Sequence, residues 1–126
     1  MRKSLLMLGL VLLGVACKTK SIVSTNFEYG YTPENPIKVG GVKTDRGPAN
    51  EREYLNSLTD LAGNNLSFYR IGSCCHFQTP NGLINGGGLL DKYAVYVKGQ
   101  KDTVVLYLNF YDEDKLLAPK GFRFKM

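Results

Sequence analysis

The sequence has no tryptophan, one histidine and three cysteines among its 126 residues. Recognisable zinc sites use four ligands, with Cys or His pairs two to four residues apart. Here Cys74, Cys75 and His76 are consecutive, and the side chains of consecutive strand residues point to opposite faces. We therefore expect no metal site, and no cofactor is indicated.

The sequence also lacks an apolar run long enough to cross a membrane. The longest, at residues 5–15, covers roughly a dozen residues, whereas a spanning helix needs about 20. It follows Arg2 and Lys3 and ends in small residues before Cys17, which is typical of a bacterial lipoprotein signal peptide. The sequence predicts a signal peptide at 1–16 and a lipid on Cys17. An ordinary secretory leader and a cytosolic chain with an apolar N-terminus are the alternatives.

Positive charge is in small excess and is not clustered. Removing Arg2 and Lys3 with the signal peptide lowers the net charge from +5 to +3. Lys18 and Lys20 lie in a polar tether at 17–26, where they can contact anionic lipid headgroups. Without a basic face there is no case for nucleic-acid binding. The predicted partner is a membrane, through the lipid on Cys17, and the predicted location is the bacterial cell envelope, at the outer membrane.

Residues 27–126 are predicted to form a single domain, too short for a (β/α)8 barrel of about 250 residues. A helix is predicted at 51–61, where Asn50 can cap it and Leu55, Leu58 and Leu61 form an apolar stripe. No internal repeat is present. The predicted fold class is α+β, with one helix packed on an antiparallel sheet of three to five strands.

The strands are predicted from alternation of apolar and polar residues. A long strand at 66–79 contains Gly72, which is expected to bend it or form a bulge. Strands at 93–98 and 103–111 form the clearest hairpin. A short strand is expected at 37–39, and Phe122 and Phe124 have strand spacing.

Cys74 and Cys75 are the only thiols left if Cys17 carries lipid. Their Cα atoms lie about 3.8 Å apart, closer than the 4.4 Å or so at which relaxed disulfides begin. An oxidising compartment nevertheless favours a bridge. Two packed thiols, a vicinal disulfide that stiffens a turn or ligand surface, and a redox switch all remain open.

Two patterns near this pair are partly similar to catalytic or phosphate-binding motifs. Cys74 and His76 would share one strand face, as a nucleophile and base require, but no third orienting group can be assigned. The glycines Gly86, Gly87 and Gly88 lack the Gly-Lys-Ser/Thr and helix of a phosphate loop, so a flexible loop is predicted. The expected binding surface combines Cys74, Cys75, His76 and these three glycines.

Tyrosine is abundant, with eight residues. Tyrosine suits surfaces that are half apolar and half hydrogen-bonding, so an aromatic sheet face could bind a saccharide or a protein partner. Ordinary cross-strand packing explains the same residues.

Four segments carry a resemblance to known proteins: YGYTPENPIKVGG at 29–41, RIGSCC at 70–75, GLLDKY at 88–93 and LAPKGF at 117–122. They resemble a group of small bacterial lipoproteins of unestablished function, over nearly all of the mature chain. Some such chains are labelled 2-dehydro-3-deoxyphosphooctonate aldolase. The present sequence does not support that label, because a true synthase of this kind is a much longer barrel and none of its phosphate-binding or catalytic motifs is present. The resemblance implies a lipid-anchored envelope protein and no catalytic residues.

Together these observations predict a lipid-anchored binding or structural module without catalysis. One alternative is a thiol-dependent enzyme or redox protein that uses Cys74 or Cys75. Another is an immunity or inhibitor lipoprotein that caps a toxin.

Overall fold

The computed structural model describes residues 22–126. The predicted signal peptide, Cys17 and most of the tether lie outside the described residues. Among the helices formed by residues 22–126, none is long and apolar enough to cross a membrane.

Residues 22–126 contain one α-helix, α1, which spans Gly47–Asn56, so the predicted bounds of 51–61 are wrong at both ends. It begins earlier because Pro48, in the first turn, has a helical φ and needs no hydrogen-bond partner for its nitrogen. Asn50 is therefore inside the helix and does not cap it; its Nδ2 donates to the carbonyls of Val39 and Gly40, both at 3.2 Å. The helix ends at Asn56 because the next residues join a sheet.

Within the described part of the chain, six strands form two sheets. They are β1 (Ile37–Lys38), β2 (Leu58–Asp60), β3 (Ser67–Gln78), β4 (Gly87–Tyr96), β5 (Thr103–Asn109) and β6 (Phe122–Phe124). The main sheet has the order β1-β5-β4-β3, in which β1 runs parallel to β5 and the other pairs are antiparallel. The strands β2 and β6 form a separate antiparallel pair. The α+β class, with one helix on a largely antiparallel sheet of four strands, is confirmed.

Strand β4 begins at Gly87, six residues before the predicted start at Tyr93. The glycines have low intrinsic strand propensity, but Gly87 and Gly88 pair with Gln78 and Phe77 of the long strand β3. At Gly88 a Cβ atom would lie 3.0 Å from the rings of Phe77 and Tyr111. The absence of a side chain there lets both rings pack against the strand, so two of the three glycines are sheet residues.

Strand β3 contains two irregularities in its pairing with β4. The register shifts between Arg70 and Gly72, as predicted for Gly72, and again between Cys74 and His76. At the second shift Cys75 has a left-handed φ of 62°. Each extra residue reverses the alternation of side chains along the strand beyond it.

The hydrophobic core lies between α1 and one face of the main sheet. It contains Tyr93 and Val95, which share one face of β4, together with Leu106 and Leu108 of β5. Leu55 and Leu58 cover this face from the helical side and are fully buried, whereas Leu61 is 65% exposed. The predicted apolar stripe therefore ends at Leu58, which reaches the core from β2.

Candidate functional site

The principal cavity, of about 590 Å³, lies between the first turns of α1 and the β3–β4 part of the sheet. This volume is within the usual range of about 300–1,000 Å³ for small-molecule sites. Its lining comes from four parts of the chain: Pro48, Glu51, Arg52; Phe68, Tyr69, Arg70, Ser73; Leu89, Asp91, Tyr93; and Phe110, Tyr111.

The first bulge of β3 assembles the polar floor of this cavity. Ser73 lies opposite Asp91 in the sheet, and Arg70 lies opposite Tyr93. Positions 70 and 73 would face opposite ways on a regular strand, but the inserted residue between Arg70 and Gly72 places them on one face. Arg70 consequently donates to Asp91 Oδ1 from both Nε, at 3.1 Å, and Nη2, at 2.8 Å, and Ser73 Oγ donates to the same oxygen at 3.2 Å.

Glu51 and Asp91 form a buried pair of carboxyl groups beneath the floor, with exposures of 0% and 4%. Burial, together with the hydrogen bond and charge of Asp91, raises the pKa of Glu51 to about 9. Glu51 is therefore protonated at neutral pH. Its Oε1 accepts from the Tyr93 hydroxyl at 3.3 Å, and its Oε2 has no hydrogen-bond partner among residues 22–126.

The charges of the floor are balanced by this arrangement. Asp91 is ion-paired with Arg70, and Glu51 is uncharged at neutral pH. Arg52 adds a positive charge at the exposed side. The Arg70 side chain is 49% exposed, so its remaining N–H groups are available to an acceptor in the cavity.

Aromatic side chains form the walls. Phe110 and Tyr111 are stacked, with ring centroids 4.6 Å apart and planes inclined by 18°. Phe68 packs edge-on against Tyr93 at 6.0 Å, whereas the Tyr69 ring packs against Tyr96 on the other face of the sheet. The cavity thus offers apolar ring surfaces above a floor of hydrogen-bonding groups.

The chemistry available at the floor is hydrogen bonding. Asp91 Oδ1 accepts hydrogen bonds from Arg70 and Ser73. Glu51 is buried and also lines the cavity. The partly exposed Arg70 can therefore hydrogen-bond to a molecule bound in the cavity.

Cys74 and Cys75 are joined by a disulfide bond, which corresponds to the second of the three alternatives considered from the sequence. Neither residue lines the principal cavity. The expectation that Cys74 and His76 share a face is wrong, because the extra residue Cys75 separates them. Cys74 pairs with Leu90 and His76 with Leu89, and these consecutive residues of β4 face opposite ways.

His76 and two of the predicted glycines meet at a second cavity, of about 300 Å³. This second cavity is lined by His76, Leu83, Ile84, Gly87, Gly88, Leu89 and Tyr111. A Cβ atom on Gly87 would lie 2.6 Å from His76 Nε2, so the ring occupies space that only glycine leaves free. Gly86, with a left-handed φ of 72°, belongs to the preceding turn. The predicted site is therefore divided, with the disulfide apart from the His76 cavity.

The polar floor was missed in the sequence. In the sequence Glu51 is an acidic residue at the start of the predicted helix, Arg70 lies in the predicted strand at 66–79, and Asp91 precedes the predicted strand at 93–98. One signal was present: Asp91 lies two residues before Tyr93, so it is a charged residue on the apolar face of β4. A carboxylate at such a position requires a buried partner.

Among residues 22–126, no group of three or more His, Cys, Asp or Glu side chains is arranged to hold a metal ion. Comparison with protein-family models, curated proteins and solved structures finds no match for this chain. The resemblance to small lipoproteins thus remains a prediction from the sequence.

Proposed function

We propose that this protein is a lipid-anchored module of the bacterial cell envelope that binds a saccharide in the principal cavity, without catalysis. The observation that carries the proposal is the arrangement of Arg70, Ser73 and Asp91 on a shared floor beneath aromatic walls. The anchor would be a lipid on Cys17, which the signal peptide pattern predicts.

A saccharide fits because its ring has both apolar and polar parts. The C–H face of a sugar can pack on the rings of Phe68 and Tyr111, which line the cavity, and its hydroxyls can pair with the Arg70 guanidinium. Arg70 is held in place by Asp91, so less side-chain freedom is lost when a ligand binds. The balanced charge of the floor suits an uncharged sugar better than a multiply charged ligand.

The thiol-dependent alternative has less support. The sulfurs of Cys74 and Cys75 are bonded to each other, so neither is a free thiolate nucleophile, and neither faces the principal cavity. The immunity or inhibitor alternative stays a prediction.

The binding proposal is tested by titrating the protein with methyl β-D-glucoside, the disaccharide of N-acetylglucosamine, and glucuronic acid, followed by NMR of the amides of β3 and β4. We expect at least one sugar to shift amides around Arg70 and Asp91. Ser73→Ala should weaken that binding about three- to tenfold, the effect of one hydrogen bond. Ser67→Ala on the same strand, outside the cavity, is the matched control. No shift with any of the three at tens of millimolar would refute saccharide binding.

The anchor is tested separately by metabolic labelling with palmitate. We expect label in the wild-type protein and none in Cys17→Ala. An unlabelled wild type would refute the lipid anchor while leaving the binding proposal to be judged on its own data.

A further inference from the structure

The two cavities are contiguous, because Leu89 and Tyr111 line both of them. They differ in chemistry. The principal cavity has the polar floor of Arg70, Ser73 and Asp91. The second is lined mainly by aliphatic side chains and glycine backbone, together with His76 and Tyr111. A molecule that extends from one into the other would pass from a polar to an apolar environment.

The apolar side is unusually exposed. Leu83 is 70% exposed, Ile84 78% and Leu89 45%. Three large aliphatic side chains at one end of a small domain form a contiguous apolar surface of the kind that marks a binding site. Their burial would be favourable, whereas their exposure contributes nothing to folding.

The turn that carries these side chains is tied to the body of the domain. Asn81 Nδ2 donates to Asp112 Oδ1 at 3.0 Å, and the Thr79 hydroxyl donates to the same carboxylate. The Thr79 N–H also donates to the Gly86 carbonyl at 2.8 Å across the base of the turn. These hydrogen bonds fix the position of the loop, so Leu83 and Ile84 stay exposed and do not pack on the core.

We infer that the ligand is an amphiphile: a sugar that carries a hydrocarbon substituent, with the sugar in the principal cavity and the chain along Leu89 into the second. This inference rests on the proposed saccharide binding and adds the apolar part of the ligand. Leu89 and Tyr111 line both cavities, so the two lie side by side and one bipartite occupant can reach both.

The test compares octyl β-D-glucoside with methyl β-D-glucoside by isothermal titration calorimetry, below the critical micelle concentration of the detergent. Each buried methylene raises affinity about fourfold, so burial of two or more predicts at least about tenfold tighter binding of the octyl compound. Octyl tetraethylene glycol ether, which has the same chain and no sugar, should bind at least about tenfold more weakly than octyl β-D-glucoside.

The double variant Leu83→Ser/Ile84→Ser should remove most of the gain from the octyl chain and leave the affinity for methyl β-D-glucoside unchanged. Both residues are exposed, and circular dichroism should show an intact fold. The matched control is Leu61→Ser. Leu61 is about as exposed as Leu83 and lines neither cavity.

Equal affinities for the octyl and methyl glucosides would overturn the inference while leaving saccharide binding intact. Equal affinities for octyl β-D-glucoside and the sugar-free ether would also overturn it, because the chain alone would then account for binding. Absence of binding by all three compounds would overturn it as well; the proposed function would then depend on the titrations with the other sugars.

Discussion

Replacing Glu51 by glutamine tests whether the cavity floor depends on a neutral carboxyl group. The folded protein raises the pKa of Glu51 from 4.5 to about 9. Below pH 4.5 the group is protonated in both the folded and unfolded chains. Above it only the unfolded chain ionises, so the free energy of unfolding falls as pH rises toward 9.

The slope is at most about 1.4 kcal/mol per pH unit, which gives a loss of at most about 4 kcal/mol between pH 5 and pH 8. Glutamine is uncharged at every pH, and its amide oxygen can still accept from the Tyr93 hydroxyl. We expect Glu51→Gln to match the wild type near pH 4.5 and to be the more stable protein at pH 8.

Urea unfolding followed by far-UV circular dichroism at pH 4.5, 6 and 8 measures this difference. Glu53→Gln is the matched control, since Glu53 lies on the same helix, is exposed and pairs with Arg46 on the surface; surface pairs contribute about 1 kcal/mol or less. Parallel pH profiles for the wild type and Glu51→Gln would refute the assignment of a protonated Glu51.

Three further predictions concern the fold and the floor. Leu58 is buried and Leu61 is exposed, so Leu58→Ala should lower the free energy of unfolding by about 2–5 kcal/mol and Leu61→Ala by about 0.5 kcal/mol or less. Urea denaturation measures both values. Equal effects would contradict the end of the helix at Asn56. Arg70→Met should lower the free energy of unfolding by about 1–3 kcal/mol at pH 7, because it leaves the buried Asp91 without its partner. Arg52 is exposed, so Arg52→Met should change the free energy of unfolding little. Equal urea midpoints for the two variants would show that Asp91 does not need Arg70. When the protein is unfolded in denaturant without reductant, alkylation and mass spectrometry should find no reactive thiol at Cys74 or Cys75, because the structure joins the two in a disulfide. After reduction two thiols should react. Two reactive thiols without reduction would exclude the bridge.

Much of the fold followed from local patterns in the sequence. Alternation along residues 93–97 and the spacing of Phe122 and Phe124 are properties of single strands, so the sequence correctly predicts strand structure there, although β4 begins earlier, at Gly87. The helix ends were not, because its start depends on Pro48 and its end on the pairing of Leu58–Asp60 with Phe122–Phe124. The pairing of β2 with β6 joins segments more than 60 residues apart, and no local sequence pattern contains a contact of that range.

The candidate site was less accessible to sequence reasoning. Cys74, His76 and the glycines attracted attention because they are chemically distinctive and adjacent, yet the bulge at Cys75 sends Cys74 and His76 to opposite faces. Arg70 and Asp91 are 21 residues apart and meet only through the register of β3 and β4.

The sequence by itself determined the α+β class and the aromatic character of the sheet, because side-chain periodicity records which face of a strand is buried. It also contains the lipoprotein pattern that ends at Cys17, which stays a prediction. Only the tertiary structure decided that Glu51 is buried against Asp91 and that two cavities join at Leu89 and Tyr111. Burial and proximity arise from the packing of a helix on a sheet, and this packing determines the protonation of Glu51 and the shape of the proposed ligand.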